Sequence, residues 1–73
     1  MNINSLYASI ERLRFESEEK DDIKRNIELC LDSIDGEDAK NDAMLDMLEI
    51  VTGFDNAAGM IAKIRKLLPG GDR

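Results

Sequence analysis

The chain has 73 residues, one cysteine, no histidine and a net charge of −6, which is enough for one small domain. A single thiol excludes an intrachain disulfide, and without histidine a structural zinc site has no ligand set to draw on. A core this small must therefore come from tight helix packing or self-association. The negative charge opposes nonspecific binding to nucleic acid or anionic lipid, and no apolar run nears the roughly 20 residues of a membrane span. The start, Met1-Asn2-Ile3-Asn4, has neither a basic flank nor an apolar run. It does not resemble a signal peptide, so a cytoplasmic location is expected.

Hydrophobic residues make up 42% of the chain, too many for a disordered segment. Aromatic residues are scarce and β-branching beyond Ile is limited to Val51 and Thr52, which favours helix over sheet. The stretch from Asn4 to Ile34 contains no Gly or Pro, and as one helix it would run about 46 Å. Asn4 or Ser5 is placed to cap it. Ile3, Leu6, Ile10 and Leu13 form one apolar stripe with Tyr7 at its border, and the stripe recovers at Ile23, Ile27, Cys30, Leu31 and Ile34, with Leu29 to the side and Glu28, Asp32 and Asp35 facing solvent. Between them, residues 16–22 offer nothing apolar. Two readings compete there: an unbroken helix with a solvated waist, in which Lys20 and Lys24 are available to pair with Glu16, or a break with Asp21 or Asp22 capping a new helix at Ile23. The absence of Gly and Pro favours continuity.

Asp35-Gly36 ends this segment, because Gly tolerates the left-handed backbone found after helix C-termini. A second helix over 37–52 carries Ala39, Ala43, Met44, Met47, Leu48, Ile50 and Val51, while Asp38, Asp42, Asp46 and Glu49 line its opposite face. Thr52-Gly53 stops it, with Phe54 expected to fold back on Ile50 or Val51. Asp55 or Asn56 caps a third helix over 55–68, bearing Ala57, Met60, Ile61, Ile64, Leu67 and Leu68 on one side and Lys63, Arg65 and Lys66 near its C-terminus. Gly59 within this helix costs about 1 kcal/mol relative to Ala, which suggests either a close contact with another helix or an undemanding surface site, the contact being favoured. Residues 69–73 read as a frayed tail.

The expected fold is all-α: one long N-terminal helix packed antiparallel against two shorter ones, a hairpin or three-helix bundle, and a homodimer. The face for self-association or a partner is assigned to Leu6, Ile10, Leu13, Ile23, Ile27, Leu31, Ile34, Met44, Met47 and Met60. Methionines suit a surface that repacks around its target, although at helical spacing they are more often core.

Residues 16–55 hold 14 acids against 4 bases, a local balance of −10. Aligned carboxylates at Asp38, Asp42, Asp46 and Glu49 could imitate the phosphates taken by a basic groove, yet such faces are usually only solvated surface. A calcium loop around Gly36 fails on register, since it puts Leu31 at the first ligand position and Asp42 where Glu is required. Cys30 lies in an apolar stripe and has no histidine to activate it, so no nucleophile–base pair can be named, and no glycine-rich phosphate loop is present. The basic cluster at Lys63, Arg65 and Lys66 is too small for a membrane or nucleic-acid role and is better suited to pairing with the acidic middle, within the chain or across a dimer. The sequence points to a small non-enzymatic adaptor, chaperone or regulator without metal or cofactor. The runner-up is an acidic inhibitor that mimics nucleic acid.

Overall fold

The structure, a computed structural model, describes residues 2–68. It has four α-helices: α1 (Ile3–Glu11), α2 (Ser17–Asp32), α3 (Glu37–Gly53) and α4 (Ala57–Arg65), with no strand among the described residues. The expected tail at 69–73 lies outside the described residues.

The all-α expectation holds, but the single long helix does not. Its 46 Å would overrun a molecule whose longest dimension is 32 Å. The chain instead breaks at residues 12–16, earlier than the alternative reading placed a break, and Glu16 rather than Asp21 or Asp22 stands at the N-cap of the new helix. The physical reason lies in the apolar stripe. Once the chain turns, α1 packs mainly on α3 and α2 mainly on α4. Leu6 and Ile10 become fully buried, a gain of about 1.5–3 kcal/mol for each side chain.

Local bonds make the turn inexpensive. Lys20 Nζ donates to the backbone carbonyl of Glu11 at 2.9 Å, closing the C-terminus of α1. The Glu16 N–H donates to Glu19 Oε1 at 3.0 Å, as the glutamate of a capping box does. Among the described residues no non-glycine residue adopts a positive φ, so the turn needs no glycine. Leu13 and Phe15 lean on the core from within it.

The remaining boundaries shift by a few residues. Asn2, not Asn4 or Ser5, caps α1, its Oδ1 accepting from the Ser5 N–H at 3.1 Å. Gly36 has φ +96 and ψ 138 and serves as the N-cap of α3, a backbone region that glycine alone occupies readily. Asn56 caps α4 as expected, accepting from the Gly59 N–H at 2.6 Å. Phe54 takes an extended backbone after α3 and lies over α4: a Cβ built on Gly59 would sit 3.0 Å from both Phe54 Cδ2 and Asn56 Oδ1. Gly59 is thus crowded by the side chains of its own cap and of the preceding connection, not by the helix contact expected there.

The four helices enclose one core made of Leu6, Ile10, Ile23, Ile27, Cys30, Leu31, Ala43, Met47, Val51, Ala57, Met60 and Ile64, with no buried polar residue among those described. The radius of gyration is 11.3 Å, close to the ~11 Å of a compact chain of this length. No described helix is long and apolar enough to cross a membrane.

Candidate interaction surface

The core has taken up most of the apolar face assigned to a partner. Leu6, Ile10, Ile23, Ile27, Met47 and Met60 are completely buried and Leu31 nearly so, each against the chain's own helices. Leu13, Ile34 and Met44 are partly buried and packed on the same core. These residues stabilise the chain and leave little area for anything else. The methionines at 47 and 60 are core fillers.

What stays outside is a different set. Leu45 is 51% exposed and Leu29 is 57% exposed, the large apolar side chains left in solvent among the described residues. On a helix turning about 100° per residue, Leu45 lies about 200° from the buried Met47, at the middle of the outward face of α3. Asp38, Asp42 and Glu49 surround it at helical spacings of seven, three and four residues, and Asp46 adjoins it. All four carboxylates are exposed. They have no ion-pair partner among the described residues, where the salt bridges are Lys24–Glu11 and Arg25–Asp22. They are strung along one face, and no group of three or more potential metal ligands gathers among the described residues.

Leu45 escaped the sequence reading because it breaks the acidic pattern instead of extending the apolar one. Its spacing from Asp42 and Glu49 was the available signal. Leu29 was placed beside the apolar stripe, and the structure turns it outward near Ser33, whose Oγ donates to the Leu29 carbonyl at 3.0 Å.

A polar seam binds α1 to α2 at the surface. The Tyr7 hydroxyl donates to Glu28 Oε2 at 2.6 Å, so Glu28 is tied to α1 rather than merely solvated. Lys24 reaches Glu11 and places its Nζ 5.6 Å from the Tyr7 ring centre, within cation–π range. Lys20 and Lys24 thus serve Glu11 rather than Glu16. Partial burial first, and the bond to Glu28 second, push the Tyr7 phenol above its ordinary pKa of 10.0. The hydrogen bond and charge of Lys24 hold the Glu11 carboxyl below its ordinary value. Burial raises the Cys30 thiol, which keeps it protonated and inert as a small apolar core residue.

The basic residues at the end of α4 remain exposed, and Lys63, Arg65 and Lys66 make no salt bridge among the described residues. The pairing with the acidic middle expected within the chain does not occur there. Comparison with known protein families, curated proteins and solved structures finds no match.

Proposed function

We propose that this protein is a small acidic, non-enzymatic interaction module that engages a basic protein partner through the outer face of α3. The observation that carries this reading is Leu45, half exposed at the centre of Asp38, Asp42, Asp46 and Glu49. An apolar anchor ringed by charge of one sign is how a specific interface combines desolvation energy with partner selection. The core residues Leu6, Ile10, Ile23, Ile27, Leu31, Met47 and Met60 hold this face rigid without touching the partner. Self-association into a homodimer belongs to the same proposal, and a reducing compartment such as the cytoplasm suits the single buried thiol.

The same unpaired carboxylates favour a second reading, mimicry of a nucleic-acid backbone. Residues four apart on a helix are about 6 Å apart along its axis, so Asp38, Asp42 and Asp46 form a regular row of negative charge. Leu45 separates the two readings, because a phosphate chain offers no counterpart to an exposed leucine.

The test is capture from the source cell with quantitative mass spectrometry across a salt series, using wild type, Leu45→Ser and the double variant Asp42→Lys/Asp46→Lys. A partner lost with Leu45→Ser and also weakened by charge reversal supports the interaction module. A partner kept by Leu45→Ser, but lost on charge reversal and falling steeply with salt, supports mimicry. A partner retained by both variants rules out the α3 face.

A further inference from the structure

We propose that α1 is exchangeable between copies: residues 12–16 open into continuous helix, and the α1 of one chain seats on the α3 of a second, forming a reciprocal dimer. The inference deepens the self-association part of the proposed function and specifies how the second copy docks.

The hinge is built from residues that all accept helix. Arg12-Leu13-Arg14-Phe15-Glu16 contains no Gly or Pro, and none of these five residues has a positive φ. Arg12 is already in the right-handed helical region at φ −80 and ψ −10. Glu16 has φ −66 and ψ 153, so its φ is helical and chiefly its ψ must turn. The closed bend is held by Leu13 and Phe15 against the core and by Lys20 on the Glu11 carbonyl. Nothing in the backbone itself requires the bend.

Opening one chain alone would expose Leu6 and Ile10, both fully buried in the closed form. It would also break the Tyr7–Glu28 bond and the Glu11–Lys24 pair. All these contacts join α1 to the rest of the chain, so a second copy restores them one for one. That is why exchange of an identical element is a low-cost route to a dimer. The occupant of the vacated seat is a second α1 and not a foreign helix, because the seat fits these side chains in this order. The open form also gains local support. Arg12 and Arg14, exposed and without ion-pair partners among the described residues, come to lie four residues before Glu16 and Glu18 on one helix.

The experiment refolds an equal mixture of ordinary and heavy-nitrogen-labelled protein at high concentration and isolates any dimer by gel filtration with light scattering. A carbodiimide then couples Glu11 to Lys24 at zero length, and mass spectrometry reads the isotope pairing of the linked peptides. Exchange predicts mixed-isotope Glu11–Lys24 links in the dimer fraction and same-chain links alone in the monomer. A dimer with same-chain links alone overturns the exchange while leaving self-association standing, and a monomer at every concentration overturns both. A second arm compares Arg14→Ala with Arg14→Gly at this exposed position. The helix preference of Ala over Gly amounts to about fivefold per hinge, so Ala should tighten the dimer about 30-fold over Gly through its two hinges. Equal dimer constants would show that the hinge does not become helical.

Discussion

Leu6 and Leu29 allow one substitution to be made at two sites whose surroundings differ as far as this fold permits. Leu6 is completely buried between α1 and its neighbours and Leu29 is 57% exposed. At Leu6, truncation to Ala removes a buried side chain and leaves a cavity, for which buried leucines typically lose about 2–5 kcal/mol. At Leu29, most of that side chain is already in water, so the loss should stay within about 1 kcal/mol. A domain of this size has about 4–11 kcal/mol of stability in total, so Leu6→Ala should remove a large share of it and Leu29→Ala little. Urea denaturation followed by circular dichroism measures both, with the midpoint shift read at a constant slope. If the two variants cost the same, α1 is not seated on the core.

Three further outcomes follow from the local geometry. Gly36→Ala should lose about 1–3 kcal/mol by the same denaturation assay through backbone strain alone, because φ is +96 there while nothing crowds a Cβ. Gly59→Ala should destabilise despite the better helix propensity of Ala, because the new Cβ presses on the cap oxygen of Asn56 and on Phe54; a gain of about 1 kcal/mol would show that these neighbours yield freely. Tyr7→Phe probes the seam between α1 and α2. Because the folded phenol titrates above the unfolded value of 10.0, its contribution is complete below about pH 10 and is lost as pH rises beyond it. The wild-type advantage over Tyr7→Phe should therefore be constant near neutrality and shrink in alkali.

The helical periodicity of the apolar residues was enough to read the fold class, the apolar side of each helix and the burial of Cys30, and Asn56 was one of the two residues the sequence offered as the last cap. The break between α1 and α2 was not legible because nothing in residues 12–16 marks it: each residue is a competent helix former, and the bend is imposed by where Leu6, Ile10, Leu13 and Phe15 find cover. Tertiary burial overrides local propensity here. The same event explains why the face assigned to a partner is covered within the chain. An apolar stripe looks identical in sequence whether it is covered by a second chain or by the chain's own later helices. Here the bend gave four helices enough mutual contact to cover it internally. The acidic face of α3 was read correctly as exposed, but the leucine at its centre was passed over because an isolated apolar residue among charges contributes nothing to a periodic pattern.

The folding back of α1 onto the bundle is tested most directly by the distance between positions 7 and 28, labelled for electron-spin or fluorescence measurement in a dilute monomeric sample. The Tyr7 hydroxyl and the Glu28 carboxylate are 2.6 Å apart in the folded chain, so the labels should report close approach. In an unbroken helix the same 21-residue separation would place the backbones about 32 Å apart, and a distance near that value would contradict the fold described.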